Sequence, residues 1–258
     1  MAIKANVLVL DIETAPILAY VWDLYDQNVA VNQIHTDRYI MAWSAKWLGA
    51  PKTTQVYYDK RDTPPGDDKG ILKPLWELLN EADVVITQNG QNFDSRRINA
   101  RFMFHRMKPP KPYKHFDTYQ LARRVADFTS NKLEYLAANL NTTHVKSYHR
   151  KYPGFALWRA CLEGKIDAWN EMKKYNIADV LATEELYTKV RAWAPETFPD
   201  AYLFTDRANE CGTCGHRGKM LEGHPRHGKV HVYRQHRCPK CGAWQKGKTM
   251  TKLIVRKV

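Results

Sequence analysis

Two acidic residues two positions apart, Asp11 and Glu13, end the apolar run VLVLDIE near the start of the chain. In a strand, residues i and i+2 project from one face, so both carboxylates can converge on one ion. A third acid, Asp94, closes QNGQNFD after the apolar run VVIT. Tyr175 and Asp179 lie four apart in a helical pattern and therefore share a face one turn apart. Carboxylate oxygens in this layout suit hard divalent cations, and a phenol beside them suits the positioning of water.

The chemistry these residues can perform is phosphodiester cleavage. It needs a nucleophile, neutralised charge on the scissile phosphate and a stabilised 3′ oxygen, which two Mg²⁺ or Mn²⁺ ions about 4 Å apart supply together. Asp11 reads as the ligand bridging both ions. Glu13 and Asp179 complete the site that activates water, and Asp94 holds the second ion through its inner or outer shell. Tyr175, with an ordinary pKa of about 10, is a poor base and is expected to orient the attacking water. Asp117 also ends a strand pattern, but an N-cap for TYQLARR explains it equally well, and it stays outside the expected ligand set. Asp26, Asp37, Asp67 and Asp68 fall in loop-like segments and read as solvated surface.

A second chemistry-bearing set lies near the other end. Cys211-Gly-Thr-Cys214 and Cys238-Pro-Lys-Cys241 form two C-x-x-C knuckles separated by 23 residues. With no secretion signal in the sequence, these read as a tetrahedral Zn²⁺ site rather than two disulfides. Each knuckle is followed by glycine, where a tight turn directs backbone N–H groups toward sulfur. The segment resembles a zinc ribbon of two β-hairpins, including HVYRQHRC and MTKLIVRKV. His216 and His236 are expected outside the completed thiolate shell, and the fifth cysteine, Cys161, reads as a small buried hydrophobe. So small a unit would draw most of its folding free energy from the ion.

Charge follows the same division. The chain carries a net +13, yet residues 205–258 hold thirteen Lys and Arg against three Asp and Glu, and the preceding 204 residues net only +3. Such a basic appendage suggests a polyanionic partner. Arg226, Lys229, Arg234, Arg237, Lys240, Lys246 and Lys248, interleaved with His231, Tyr233 and Trp244, are the expected phosphate-binding surface. Docking to a DNA polymerase or another replication protein is the competing role. Two prolines in WAPETFPDAYLF mark the boundary, giving units of residues 1–199 and 200–258.

The elements that must position the acids are legible from periodicity. Residues 4–10 read as a buried central strand. Further strands are expected at 39–48 and in TTQVYY, with VVIT and HFD after them. Helices are expected in ILKPLWELLNEAD, over 95–105, after Asp117, in NKLEYLAANL and over 166–193. Asn131 and Glu134 have the spacing of a capping box. Residues 18–37 are aromatic and poorly periodic. Strands first, then strands alternating with helices, indicate an α/β domain with a mixed sheet. No apolar stretch of about 18 residues is present to span a membrane, and a signal peptide would need a longer apolar run than the first strand offers.

DIE, NGQNFD and YNIAD, in this order, resemble the three exonuclease motifs of the DEDD superfamily, which includes the proofreading domains of DNA polymerases. The Tyr-x-x-x-Asp form of the last motif is that of the DEDDy branch. The resemblance covers roughly residues 4–190 and implies a ribonuclease H-like fold, a mixed central sheet flanked by helices, followed here by the small β zinc ribbon. It implies metal-dependent 3′ to 5′ removal of nucleotides, with Asp11, Glu13, Asp94 and Asp179 on the ions and Tyr175 on the water. Asn89 and Phe93 match the positions that shape the substrate cleft in that family. Lys132, after a Ser-Asn turn, is a further candidate phosphate contact. Of Trp22, Trp43, Trp47, Trp158 and Trp169, most are expected in the core, especially Trp43 and Trp169. The expected substrate is a single-stranded DNA 3′ end, with RNA as the alternative and a retired nucleic-acid-binding module as the non-enzymatic one. The implied setting is proofreading in trans, end trimming or nucleotide recycling in the cytoplasm of a bacterial or phage-infected cell.

Overall fold

A computed structural model describes residues 5–57, 64, 66–140, 142–144, 151–195, 210–227 and 231–252. In the first part of the chain, strands β1 (Val7–Thr14), β2 (Leu18–Ala19), β3 (Ile34–Thr36), β4 (Ile40–Trp47) and β5 (Thr54–Tyr57) precede helix α1 (Lys69–Glu81). They are followed by β6 (Val84–Thr87), α2 (Asp94–Phe104), β7 (Lys114–Asp117), α3 (Thr118–Val125), α4 (Leu133–Asn139), α5 (Ala156–Leu162) and α6 (Ile166–Val190). The main sheet has the order β5-β4-β1-β6-β7. β1 runs antiparallel to β4 and parallel to β6, so the sheet is mixed, as the pattern of the sequence predicts.

Apolar residues bury both faces of this sheet. Leu8, Leu10 and Ile12 point to one face, beside Trp43. There Trp43 Nε1 donates to the Ile71 carbonyl of α1, 2.8 Å away. α1 buries Ile71, Leu72, Leu75 and Leu79 at helical spacing. Each such side chain contributes roughly 1.5–3 kcal/mol on burial. α6 crosses the sheet: Gln55 of β5 donates to the Lys173 carbonyl, Lys46 of β4 pairs with Glu184, and Phe116 of β7 meets Tyr187 edge-on.

Two expectations need correction. Asp68 is not solvated: it is fully buried, accepts the Ile40 N–H at 2.8 Å, and pairs with Arg101 and His105 of α2. The loop-like composition around it conceals a node joining the start of β4, the start of α1 and the end of α2. The capping box is absent, because α4 begins at Leu133 with Lys132 as its N-cap and no side-chain cap bond. α5 lies outside the helices expected from periodicity. The poorly periodic segment holds a short β2–β3 hairpin and leaves Trp22 91% exposed, while Trp43 and Trp169 lie in the core.

Asn6–Tyr187 forms one compact unit, and a second begins at Thr188. The second contains β8 (Leu221–His227), β9 (His231–Arg237) and β10 (Trp244–Lys252), a three-stranded antiparallel sheet of order β10-β9-β8. β9 is shared by both pairings, so the two expected hairpins merge into one small sheet. The end of MTKLIVRKV lies outside the described residues. Among the described residues, no helix is long and apolar enough to cross a membrane.

Candidate functional site

β1 outruns its parallel neighbour. Its pairing with β6 stops at Val9, whereas its pairing with β4 continues through Asp11 and Glu13. The two acids therefore project from one face of a strand that is held on one side and open on the other. Asp94, at the first turn of α2, fills that opening by accepting the Ile12 N–H at 3.1 Å. α6 supplies the rest: one oxygen each from Asp11, Glu13 and Asp179 lie within 4.8 Å of one another. Asp94 is outside this compact set but near enough to act on Asp11 electrostatically.

The electrostatics are those of anions held together. Burial, then the carboxylates of Asp94, Asp179 and Glu13, push the Asp11 pKa well above the ordinary value. Asn176 opposes the shift, its Nδ2 donating to Asp11 Oδ2 at 2.6 Å. Asp94 is raised to about 7 by burial, against the Ile12 hydrogen bond. The Tyr175 hydroxyl bonds to Asp179 one turn on, and burial followed by that carboxylate drives its pKa upward. Clustered carboxylates at a strand end, oxygen donors all, fit one or more hard divalent cations.

The middle motif is shaped by a residue left outside the expected ligand set. Asp117 caps α3 through the Tyr119 and Gln120 N–H groups. It also accepts from Asn89 N at 2.9 Å and Gln91 N at 3.1 Å. This clamp holds a turn in which Asn89 is left-handed, with φ 64°. A Cβ at Gly90 would stand only 2.3 Å from Thr87 Oγ1, so the turn requires glycine there. The chain then enters α2 at Asp94. Phe93 is half-buried under the Arg97 guanidinium, 4.0 Å above its ring.

The thiols form the second candidate centre. Sγ atoms of Cys211, Cys214, Cys238 and Cys241 lie within 4.8 Å of one another, with the Cys211–Cys241 and Cys214–Cys238 pairs at 3.7 Å. Tetrahedral Zn–S bonds of about 2.3 Å imply sulfur spacings of about 3.8 Å, so the donors fit zinc. The two knuckles are built alike. Gly215 N donates to Cys211 O and Gly242 N to Cys238 O, each glycine at positive φ. Burial raises the Cys211 pKa against N–H bonds from Cys214 and Thr213. At Cys238 burial is outweighed by N–H bonds from Cys241 and Lys240, which bring the thiol down to about 7. Cys161 is fully buried in the main core, its pKa raised to about 12 by burial.

The expected basic residues divide by sheet face. Arg226 pairs with Tyr233 and Arg237 with Trp244, so these four share one face with Lys246, which lies 3.6 Å from the Tyr233 ring centroid. Strand alternation puts Arg234 on the other face, and Lys240 lies exposed in the second knuckle. Lys229 lies outside the described residues, as does the side chain of Lys248. Lys132 is exposed at the start of α4, its N–H bonded to Ser130. Asn176, beside Tyr175 within YNIAD, is a site residue that sequence reasoning passed over, whereas Asp117 is the N-cap expected for TYQLARR and in addition braces the middle motif.

A family model described as the RNase_H superfamily matches residues 32–191, more than half of the chain. The protein belongs to that superfamily. The match contains Asp94, Tyr175 and Asp179, while Asp11 and Glu13 precede it. Among solved structures, the family B DNA polymerase from the hyperthermophilic archaeon Pyrobaculum calidifontis is similar, at 12% identity and a TM-score of 0.50. That likeness covers 74% of this chain and 26% of the polymerase, and it bears on fold alone. Comparison with curated protein sequences finds no match.

Proposed function

We propose that the protein is a metal-dependent 3′ to 5′ exonuclease that hydrolyses single-stranded DNA ends. The observation that carries this reading is the convergence of Asp11 and Glu13, from a strand end, with Asp179, from a crossing helix. Two Mg²⁺ or Mn²⁺ ions, when bound, would generate the hydroxide nucleophile and stabilise the leaving oxygen. Asp11 is assigned to both ions, Glu13 and Asp179 to the water-activating one, and Asp94 to the second. Asn176 holds the Asp11 carboxylate from one side and fixes its orientation. Tyr175 is assigned to orienting the attacking water through its hydroxyl, which Asp179 holds in place, while Asn89 and Phe93 shape the cleft.

The thiol cluster is assigned one structural Zn²⁺, and residues 200–258 act as a separate basic unit that strengthens hold on the substrate. The face carrying Arg226, Tyr233, Arg237, Trp244 and Lys246 supports this, since guanidinium and ring groups suit a single strand. Cutting after Pro199 then weakens DNA affinity and flattens its salt dependence, because fewer counterions are released. Equal slopes with and without the tail favour docking to a polymerase or other replication protein.

The experiment that tests the activity is digestion of matched 5′-labelled and 3′-labelled DNA and RNA strands with Mg²⁺ or Mn²⁺. Mononucleotide release from DNA 3′ ends is expected. Preferential loss of RNA makes the enzyme an exoribonuclease, and no cleavage in either metal removes the nuclease reading.

A further inference from the structure

Beside the acid cluster, within the Asn6–Tyr187 unit, lies a groove of about 500 Å³ whose lining includes Thr14, Ile17, Arg38, Arg97, Phe155 and Trp158. This volume falls in the range of about 300–1,000 Å³ usual for ligand sites. Two features join it to the candidate centre. Thr14 follows Glu13 directly in β1, and the Trp158 ring packs edge-on against Tyr175, with centroids 6.1 Å apart. Two cationic side chains share this lining. Arg97 and Arg38 are close enough for their like charges to oppose each other, a cost that an anion between them would relieve.

The groove is also the root of the β2–β3 hairpin. Ile17, before β2, and Arg38, after β3, both line it. Between them Tyr20 is 69% exposed, Trp22 91% and Tyr25 82%, far more ring surface than folding alone leaves in water. From residue 5 to residue 37 there is no Lys or Arg, and Asp23 and Asp26 flank the rings. The hairpin can therefore offer stacking surface but cannot grip phosphate. Its root does the reverse, presenting arginines.

Resting on the nuclease reading of the adjacent site, we propose that the groove and hairpin form one track for single-stranded DNA. Arg38 and Arg97 hold phosphates next to the reacting end, and Tyr20 and Trp22 stack bases farther along the strand. A basic protein surface is the other partner that acid-flanked rings would suit. The shared root favours DNA, because the segment that carries the rings leaves and returns through residues that line the arginine-bearing groove.

The test is binding, not turnover. Full-length protein in Ca²⁺ is titrated against 5′-fluorescent oligodeoxythymidylates of about 4, 8 and 16 nucleotides, spanning the footprints usual for single-strand sites. Arg38→Gln with Arg97→Gln is expected to weaken binding at every length and to flatten the salt slope by about 1.4, or about 0.7 per lost phosphate contact. Arg38→Gln alone, at an exposed side chain, gives half that change and keeps the test readable if the double variant fails to fold. Tyr20→Ala with Trp22→Ala is expected to spare the shortest strand and cost about tenfold or more on the longest. Wild-type affinity and slope in the arginine variants overturns the proposal. So does wild-type affinity in the hairpin variant at all lengths, which assigns the rings to a protein partner. Because no hydrolysis is read, absence of cleavage in Mg²⁺ would sink the exonuclease reading without deciding this one.

Discussion

The carboxylate cluster and the thiol cluster solve the same problem, gathering metal-binding atoms, by opposite means. Each thiol pair comes from a four-residue knuckle with its own turn, its own left-handed glycine and its own N–H bonds to sulfur. Among the described residues, the small β8–β9–β10 sheet and Met220 are their main support. The carboxylates come from positions 11, 13 and 179 and are held by an extensive core on a five-stranded sheet. Where the scaffold is small, the ion must help to make the fold. Where the scaffold is large, it can force like charges together and leave the ion free for chemistry.

The largest effect that could break this contrast is loss of the zinc proposed for the thiol cluster. Structural zinc contributes on the order of 10–16 kcal/mol to folding of small metal domains. Cys238→Ser is therefore expected to abolish zinc binding by elemental analysis and to make residues 210–252 protease-sensitive. The unit Asn6–Tyr187 should survive the same digestion. Joint collapse of both units would show that the scaffolds are not independent.

Next comes Asp11. Asp11→Asn is expected to reduce turnover by about 10³-fold or more, since several kcal/mol of metal assistance depend on its ligands. The same change should stabilise the metal-free protein. The folded pKa of Asp11 lies above its unfolded value, so its charge opposes folding. That penalty is absent below about pH 4, grows as pH rises from there to the folded pKa, and is complete above it. Thermal unfolding in a chelator at about pH 8 should show a higher Tm for the variant, and the gain should shrink near pH 4. A lower Tm at both pH values would mean that the carboxylate supports the scaffold.

Asp68 tests the scaffold itself. Asp68→Ala leaves Arg101, His105 and the Ile40 N–H without their buried acceptor. A loss of about 3–5 kcal/mol in urea unfolding is expected, as for other broken buried pairs. A loss below about 1 kcal/mol would return Asp68 to the solvated role that its surroundings in sequence suggest.

The smallest expected effect belongs to Tyr175. Tyr175→Phe keeps the ring against Trp158 and removes only the hydroxyl. Turnover is expected to fall about 10- to 1,000-fold with KM little changed. A rise in KM with kcat intact would make the hydroxyl a substrate contact.

Local chemistry was readable without a structure. Alternation put Asp11 and Glu13 on one face, the four-residue step joined Tyr175 to Asp179, and the C-x-x-C-G repeats specified both knuckles. The main strands and longer helices followed from periodicity, because burial on a sheet or helix face imprints a short repeat on the chain. Tertiary structure alone decided the rest. It placed Asp68 in the core, set Asp117 beneath the middle motif, turned Asn176 onto Asp11, carried α6 across the sheet and left Trp22 in solvent. Each of these depends on partners tens of residues away, or on their absence, and composition within a few positions of a side chain carries no record of them.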